Sequence, residues 1–465
     1  MIVWAWLAAW AGEIHGWRND GTNVFPQAAI TSLGAEGATV WSAPLGTWGN
    51  ASPVLVGGRV CTTWEPTRIG CFDAATGRAV WKGDNDVLDA LPADLAAIIR
   101  PQVEAAAQAE TKLAELKRTY SGLQRDARRA PDDAALQARL VETAAEMDRL
   151  KTTVDSVVDY RTPADKEIIG YASATPVSDG AALYAVFGTG VVAAWSVDGR
   201  RLWSRWLGPH KLQMRGYHLG TAASPLLVDG VLVVPWDHLV GLDPATGATR
   251  WDAGEYRDYG TPAVAHVGGV GVLATPDGRL VRASDGKVQQ TGLGNIWYVG
   301  PVADGVDVYY VGSTSDGHTT KHSERTVAAA LRLEASGGAV RATPRWTVDL
   351  PTTQTFYAQP VLADGVLYAV THRGEARGLS TADGAILYTQ DLQARLYAEV
   401  FASPTVAGGS LVVLGATGIV IVGKTGGAWQ DVWEGRIGTM RGTPVYQGDR
   451  AWLHTYDGLL CVRTR

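Results

Sequence analysis

Short apolar runs separated by glycine turns recur along almost the whole chain. Each copy has an apolar run, a turn containing Gly-Gly or Asp-Gly, and a second β-branched run, which is the pattern of a β-hairpin. A proline opens each of the eight copies: Pro53, Pro176, Pro225, Pro262, Pro301, Pro360, Pro404 and Pro444. Such repetition predicts a repeat protein rather than a set of unrelated domains.

A second phrase alternates with the hairpins. FDAATGRAVW (72–81) and LDPATGATRW (242–251) place an Asp-x-x-Thr-Gly turn before a strand that ends on tryptophan. Looser copies follow the other hairpins, one of them ends on Thr291, and ATVW (38–41) supplies only the last strand. The aromatic ends of the phrase are Trp41, Trp81, Trp203, Trp251, Trp346, Tyr388 and Trp433. Hairpin and phrase together make a unit of four strands.

Units of this kind must stack on copies of themselves, because one small sheet cannot bury both of its faces. Without an insertion at 83–168, residues 38–465 give about 43 residues per unit, which is typical of propeller blades. The last unit lacks one strand, which 38–41 can supply, so that the chain ends pair and close the ring. The sequence predicts an all-β fold, an eight-bladed β-propeller over 38–82 and 169–465, after an N-terminal segment, 1–37. The seven aromatic ends are expected to act as docking residues between adjacent sheets.

The insertion at 83–168 has a different composition. Glycine nearly vanishes, and Leu113, Leu116, Tyr120 and Leu123 follow one another at helical spacing. Pro131 breaks the run. We expect an antiparallel helical coiled-coil hairpin of roughly 25–30 residues per arm, inserted between the first two blades. Either it binds a partner or covers the funnel mouth, or it is a decoration that packs on neighbouring loops.

The composition of the chain limits the kinds of partner and the cellular location that we expect for it. The formal net charge of −6 argues against nucleic acid. Residues 2–11 form an apolar run that resembles an export signal without its basic start, or else a packed terminus, and no transmembrane segment is expected. The three cysteines do not form a disulfide framework; Cys61 and Cys71 either pair across a hairpin or stay as buried thiols. We expect an exported, periplasmic protein, with a cytoplasmic location as the alternative.

Candidate binding residues precede each hairpin or lie in loops that open on the same end of the propeller. Aromatic rings together with an arginine can hold a planar or sugar-like ligand at this funnel mouth. The alternative is that these rings pack the loops between blades. The candidate set is Trp48, Asn50, Trp64, Glu65, Tyr171, Arg215, His218, Trp236, Tyr259, Tyr298, Tyr357, His372 and Arg441. No catalytic residue is assigned, because the dipeptide Asp237-His238 is a weak acid–base signal, and no metal site is expected.

The Asp-x-x-Thr-Gly phrase with its terminal tryptophan resembles the docking repeat of quinoprotein-like (PQQ-binding-like) propellers. That superfamily includes pyrroloquinoline-quinone (PQQ) alcohol dehydrogenases and the outer-membrane barrel-assembly lipoprotein. WRNDGTNVFP (17–26) likewise resembles the N-terminal segment of exported propellers of this type. The resemblance implies a propeller and, for the dehydrogenases, PQQ with calcium. However, the chain lacks the adjacent cysteine pair and the acidic cluster of those enzymes.

Three functional hypotheses follow. The first is a non-catalytic, exported scaffold that binds a protein partner or a small ligand through its funnel face or residues 85–165. The second is a PQQ- and calcium-dependent oxidoreductase acting on alcohols or sugars. The third is a carbohydrate- or polymer-binding module. Fold alone does not choose between them.

Overall fold

The structure is a computed structural model and describes residues 13–161, 169–210, 222–256, 258–293, 295–296, 298–315, 325–336 and 339–465. It contains two compact units, Met1–Asn85 with Glu167–Arg465, and Asp86–Lys166. The first unit holds all the described strands, and the second is helical. None of the described helices is long and apolar enough to cross a membrane.

The described strands form eight sheets. In chain order the strands are β1 (Val24–Phe25), β2 (Thr39–Pro44), β3 (Val54–Val56), β4 (Arg59–Trp64), β5 (Arg68–Asp73), β6 (Ala79–Asp84), β7 (Val177–Ser178), β8 (Ala182–Val186), β9 (Val191–Ser196), β10 (Arg201–Trp206), β11 (Leu226–Val228), β12 (Val231–Pro235), β13 (His238–Leu242), β14 (Thr249–Glu255), β15 (Ala263–Val267), β16 (Val270–Ala274), β17 (Arg279–Arg282), β18 (Val288–Gln290), β19 (Asn295–Ile296), β20 (Val302–Asp304), β21 (Asp307–Ser315), β22 (Thr326–Ser336), β23 (Ala339–Asp349), β24 (Val361–Ala363), β25 (Val366–Val370), β26 (Glu375–Ser380), β27 (Ile386–Asp391), β28 (Thr405–Ala407), β29 (Ser410–Leu414), β30 (Ile419–Lys424), β31 (Asp431–Arg436), β32 (Val445–Gln447), β33 (Arg450–Thr455) and β34 (Gly458–Arg463).

Seven of the eight described sheets contain an antiparallel run of four consecutive strands, such as β3-β4-β5-β6, with β1 and β19 as additions to two of them. The three inner strands of a sheet are buried almost throughout, whereas the outer strand alternates between exposed and half-buried positions. Strands covered on both faces read as continuous apolar runs, which explains why the repeats are not strictly alternating. This is the β-propeller architecture that the sequence predicts.

The last sheet takes its outer strand from the start of the chain. β2 pairs antiparallel with β34, placing Trp41 opposite Cys461. The sheet order is β2-β34-β33-β32, so the segment ATVW contributes the fourth strand, as expected. The two ends of the propeller chain are therefore hydrogen-bonded to each other.

Five indole N–H groups link successive sheets around the outside. Each of them donates a hydrogen bond to a carbonyl in the Asp-x-x-Thr-Gly-type turn of the next sheet. The pairs are Trp41 with Ala74 (3.1 Å), Trp81 with Val197 (2.7 Å), Trp203 with Pro244 (2.8 Å), Trp251 with Ala283 (2.8 Å) and Trp346 with Thr381 (3.0 Å). Tyr388 contacts the ring of Trp429 in the next sheet instead, and Trp433 packs on the core cluster that contains Trp41.

A second chain of links runs around the inside and forms what we term the hydroxyl ring. It consists of the Ser or Thr directly before six of the repeat prolines: Ser52, Thr175, Ser224, Thr261, Ser403 and Thr443. Backbone N–H groups donate to the hydroxyl of the next sheet over 2.9–3.1 Å, and the N–H of Thr443 returns to Ser52. Gly300 and Gln359 occupy the other two positions. The inner strands of the first and last sheets are thus joined as well.

Residues 14–25, the N-terminal crossing segment, pass from one side of this ring to the other. Ile14 pairs with Leu55 on an inner strand of the first sheet. Farther along, the Asn23 amide donates to the carbonyl of Pro404 (2.7 Å), and β1 pairs with β28 in parallel. Between these points the carbonyl of His15 accepts the N–H of Ser178 in the second sheet (2.7 Å), and Arg18 donates to the carbonyl of Pro360, which leads into the sixth. These two sheets are four apart in the order of eight, so the segment runs across the axis of the propeller.

The helical unit contains α1 (Val87–Ala90), α2 (Ala93–Arg129), α3 (Ala134–Asp155) and a 3₁₀ turn (Val158–Tyr160); α4 (Gln393–Leu396) belongs to the propeller. Asp133 caps α3 by accepting the N–H of Leu136 (3.0 Å). The helices α2 and α3 pack together. The expected arm length is wrong for both: α2 has 37 residues and α3 has 22. Pro101 lies inside α2 without ending it, so the helix begins earlier than its leucine spacing indicates.

Cys61 and Cys71 form a disulfide. They are directly opposite each other on β4 and β5, both fully buried. Of the two alternatives that the sequence leaves open, the structure has the cross-strand pair. Cys461 remains a buried free thiol.

Candidate functional site

The candidate site is a pocket on the propeller axis, here called the axial pocket, with a volume of about 300 Å³. Its wall comes from the segments that lead into the innermost strands, together with the crossing segment. The lining residues are Trp17, Asn50, Ile169, Ser173, Ala222, Tyr259, Gly260, Thr261, Tyr298, Val299, Gly300, Tyr357, Gln359, Glu399, Phe401, Ser403, Arg441, Gly442 and Thr443. A concave site of this size, mostly apolar with a few polar groups, is typical of ligand binding.

One side of the axial pocket is an aromatic arc made by Tyr259, Tyr298, Tyr357 and Phe401. Tyr259 stacks on Tyr298 with ring centroids 5.7 Å apart, and Tyr298 meets Tyr357 edge-on at 5.5 Å. Tyr357 in turn stacks on Phe401 at 5.4 Å. Each ring stands a few residues before a repeat proline, so successive sheets place the rings side by side. The contacts hold the arc in shape without a ligand.

Arg441 extends the arc. Its guanidinium lies 4.8 Å from the ring centroid of Phe401 and 5.7 Å from that of Tyr456, which are cation–π distances. Tyr456 then meets Trp48 at 5.4 Å. The row of planar groups thus continues from Tyr259 to Trp48.

Glu399 and Arg441 are the two charged side chains among the described residues that line the pocket. Burial, and then the charge of Glu399, raises the pKa of the Tyr357 phenol, while Arg373 opposes the rise. Burial likewise raises the pKa of Tyr456. Both phenols are therefore protonated at neutral pH, and the formal charges of the lining cancel.

Trp17 belongs to the crossing segment and lines the pocket from the axis. Its indole N–H donates to the side-chain oxygen of Gln359 (3.2 Å). The next residue, Arg18, is only 1% exposed and donates to the carbonyls of Thr22 and Pro360. Burial lowers the pKa of Arg18 to about 9, so the guanidinium is still charged at neutral pH. The crossing segment is therefore anchored beside the pocket by buried polar groups.

Five of the predicted mouth residues line the axial pocket: Asn50, Tyr259, Tyr298, Tyr357 and Arg441. Asn50 donates from its amide to the carbonyl of Ile169 (3.0 Å).

Two further predicted residues lie next to the pocket without lining it. Trp48 contacts Tyr456, as described above, and the ring of His372 is 5.1 Å from that of Tyr357. His372 also bonds through Nδ1 to the carbonyl of Thr355 (2.9 Å).

The structure places another four predicted residues in the packing of the loops. Glu65 is fully buried, and its carboxylate accepts the N–H groups of Tyr171 (2.7 Å) and Ala172 (2.8 Å). It thereby joins the first and second sheets. Trp64 is buried beneath Lys82, and the indole of Trp236 donates to the carbonyl of Gly208 (3.1 Å). The contacts at these four positions are those of the second interpretation of the mouth residues, in which they pack the loops between blades.

Arg215 and His218 lie outside the residues that the structure describes. The dipeptide at 237–238 does not form an acid–base unit in the pocket. His238 pairs instead with Asp252 at 2.9 Å on the exposed surface.

Sequence reasoning missed several lining residues, among them Trp17, Gln359, Glu399 and Thr443. Gln359 and Thr443 stand directly before repeat prolines. That position is the signal that could have revealed them, because five of the eight residues that stand there line the axial pocket. Nothing in the repeats indicates Trp17, since the crossing segment precedes the first unit.

The described pocket does not fit PQQ with calcium. PQQ is a tricarboxylate, whereas the lining offers one arginine and one opposing glutamate. Calcium needs six to eight oxygen ligands, and the described residues contain no group of three or more His, Cys, Asp or Glu side chains placed to hold a metal. The paired cysteines are in strands β4 and β5, inside the first sheet.

Two solved structures with TM-scores above 0.5 share the fold of this chain, and a third is similar at a lower score. BamB from Moraxella catarrhalis has 11% sequence identity and a TM-score of 0.53, covering 92% of this chain and 99% of that protein. The computationally designed Ika8 protein has 10% identity and a TM-score of 0.51, covering 92% and 100%. A quinohemoprotein alcohol dehydrogenase from Comamonas testosteroni has 11% identity and a TM-score of 0.48, covering 98% and 80%.

No match to the chain was found among curated proteins. The family model described as outer membrane protein assembly factor BamB matches residues 6–141, 155–330 and 332–465. The match spans nearly the whole sequence, including part of the helical unit, and the chain therefore belongs to this family.

Proposed function

We propose that this chain is an exported, non-catalytic scaffold, an eight-bladed propeller that binds a protein partner at the rim of its axial pocket. The eight described sheets support the blade number, as does the bond from the N–H of Thr443 to Ser52, which joins the last sheet to the first. The indole bonds between sheets support the docking role of the tryptophans. Family membership supports a binding function over catalysis, and the described pocket lining contains one carboxylate rather than an acid–base pair.

Tyr397 carries the proposal of a protein contact at the rim. Among the described residues it is the most exposed large apolar side chain, at 80%. Its backbone is in the left-handed region at φ 49° because it ends α4, and its N–H donates to the carbonyl of Gln393 (3.2 Å). A rigid, exposed tyrosine is a typical energetic centre of a protein interface.

The loop that carries Tyr397 is anchored by the two residues that precede it. Leu396 is fully buried, and Arg395 donates to the carboxylates of Asp431 and Glu434, both at 2.8 Å. The groove beside Tyr397 includes Arg373 and Glu399, and Glu399 also lines the axial pocket. The exposed ring is thus ordered next to the mouth.

A photo-crosslinking side chain at position 397 tests this contact in the cell that makes the protein. We expect one discrete cross-linked protein from position 397 and none from Leu387, which is 41% exposed on the outer strand of a neighbouring sheet. An Arg395→Ala change in the same chain should weaken the cross-link, because it frees the loop. Equal labelling from 387 and 397, or none from 397, would reject the rim as the contact.

The helical arm is a second proposed contact. Ile98 on α2 and Val141 on α3 are 61% and 68% exposed, so each of the two helices leaves one large apolar side chain in water. A partner that co-purifies with the full chain should therefore be recovered in smaller amounts with a chain that lacks residues 86–166. Undiminished binding by the deleted chain would show that the arm does not contribute.

Export is supported by the buried disulfide Cys61–Cys71, because disulfides persist in oxidising compartments. The competing hypothesis of a quinone oxidoreductase has a direct test. Incubation of the purified chain with PQQ and calcium should give neither a bound quinone absorbance nor dye reduction with alcohols or sugars. Either signal would defeat the scaffold hypothesis.

A further inference from the structure

We propose that the axial pocket is a binding site for a neutral saccharide of one or two sugar rings. This site is distinct from the rim contact at Tyr397 and does not depend on it. The argument rests on the shape, the charge and the polar groups of the pocket wall.

The aromatic arc supplies the apolar part of the site. A sugar ring has faces of C–H groups and a rim of hydroxyls, so it suits a wall that combines ring surfaces with separate polar groups. Tyr357 lies in the middle of the arc, between Tyr298 and Phe401. Because these rings already contact one another, little side-chain entropy is lost when a ligand binds.

The opposite charges of the wall give it no net preference for an anion or a cation. Glu399 opposes a phosphate or polycarboxylate, and Arg441 opposes an amine or quaternary ammonium group. The guanidinium of Arg441 lies over the ring of Phe401, so the cation–π face of that ring is already in use. A neutral polyhydroxylated ligand meets neither repulsion and can bond to both charged groups.

The polar groups of the wall are short and fixed. Asn50 is oriented by its bonds to Ile169 and Ser173, and Gln359 is held between Trp17 and Pro301. Amides and hydroxyls at set positions give orientation to a hydroxylated ligand.

The same wall argues for binding rather than cleavage. Glycoside hydrolysis generally uses two carboxyl groups on either side of the scissile bond. The described lining supplies one, Glu399. The saccharide is therefore held and not hydrolysed.

The test uses the full chain and three probes: cellobiose, di-galacturonic acid and di-lysine. Saturation-transfer NMR and calorimetry should show saturable 1:1 binding of cellobiose, and at least tenfold weaker binding of the two charged probes. Tyr357→Ala should weaken cellobiose binding at least tenfold, whereas Tyr357→Phe should largely retain it because the ring remains. Thermal melting confirms that each variant is folded, and Arg441→Gln gives a second variant at the other end of the arc.

Tyr397→Ala is the matched control, because it removes an aromatic residue outside the pocket and should leave cellobiose binding unchanged. The proposal is overturned if the folded chain does not bind cellobiose, if a charged probe binds more tightly, or if Tyr357→Ala binds as the unchanged chain does. The cross-link from position 397 is scored separately, so failure of one proposal leaves the other standing.

Discussion

Trp41 covers Gly77 so closely that a Cβ atom at Gly77 would be 2.5 Å from the indole ring. Trp41 comes from β2, the outer strand of the last sheet, and Gly77 from the turn between β5 and β6 in the first. Gly199, Gly247, Gly286 and Gly384 stand in the same relation to Trp81, Trp203, Trp251 and Trp346. The glycine of the repeat phrase therefore serves two needs: a left-handed turn, at φ 73° in Gly77, and room for the preceding sheet's indole.

Replacement of Gly77 by alanine should destabilise the propeller by about 2–4 kcal/mol, since it adds a steric clash to the backbone strain. Gly58→Ala provides the control. Gly58 has nearly the same φ, 71°, but nothing lies within 4 Å of its Cβ position, so it should cost only about 1 kcal/mol. Urea unfolding of both variants measures the difference, and equal losses would mean that the indole does not constrain the turn.

The indole N–H is expected to contribute to the stability of the fold separately from the ring. Trp81→Phe keeps an aromatic ring but removes the hydrogen bond to the carbonyl of Val197 (2.7 Å). We expect this change to cost about 1–2 kcal/mol more than Trp433→Phe. Trp433 packs against the last sheet through its ring, so it provides a similar change in shape. If both variants unfold at the same urea concentration, the docking bond does not stabilise the fold.

The repeat signals predicted the propeller because hairpin turns and strand ends are encoded locally. Trp41, Trp81 and Trp251 could be recognised one phrase at a time. The site was only partly predictable for the opposite reason. Glu65 occupies a loop that was expected to open on the mouth, but the N–H groups of Tyr171 and Ala172 draw its carboxylate into the joint between two sheets. No local pattern encodes such a contact between distant segments.

The crossing segment also makes contacts that could not be predicted from local sequence patterns. Trp17 and Gln359 are hydrogen-bonded although 342 residues separate them. Their contact depends on the closed ring, which brings the start of the chain across its axis. Likewise Pro101 would ordinarily be taken as a helix boundary, yet α2 continues through it.

His454 should make the stability of the fold depend on pH. It is fully buried, and burial lowers its pKa to about 4, while Nδ1 bonds to the carbonyl of Ala51 (3.1 Å). The unfolded chain takes up the proton below pH 6.5 and the folded chain does so only near pH 4. The stabilisation by the neutral ring is therefore complete above about pH 6.5 and is lost as the pH falls towards 4.

Lowering the pH from 7 to 5 should therefore reduce the free energy of unfolding by about 2 kcal/mol through this group. His454→Asn should remove that part of the dependence, because an amide can bond to Ala51 without titrating. The readout is the urea midpoint at the two pH values. His15 and His210, whose pKa values are lowered mainly by burial as well, leave a residual slope in both proteins. An unchanged slope in the variant would contradict the assignment to His454.

The disulfide offers a prediction about redox conditions. Cys61 and Cys71 close a loop with a sequence separation of 10, and the restriction of the unfolded chain by such a loop contributes about 2–3 kcal/mol. Dithiothreitol should lower the unfolding free energy of the protein by that amount and leave Cys71→Ser unaffected. Cys461 should not react with iodoacetamide before unfolding, since burial raises its pKa to about 11. Sensitivity of Cys71→Ser to the reductant would point to another cause.

Gly300 gives the sharpest test of the inner ring, because the repeat pattern and the structure predict opposite effects of the same substitution. Six of the eight positions before the repeat prolines carry Ser or Thr, so Gly300→Ser would bring the fifth sheet into line with the repeat. In the structure, a Cβ atom at Gly300 would collide with the backbone oxygen of Thr261 and lie 3.1 Å from the side-chain carbon of Gln359. We therefore expect Gly300→Ser to destabilise the protein by about 2–4 kcal/mol.

Two further variants test this explanation. Shortening Gln359 to serine in the Gly300→Ser chain should not restore stability, because the main obstacle is the backbone oxygen of Thr261. The reverse change, Ser403→Gly, removes one link of the ring and should cost only about 1–2 kcal/mol. Thermal melting ranks the three variants, and a gain in stability for Gly300→Ser would show that the ring can accept a hydroxyl in every sheet.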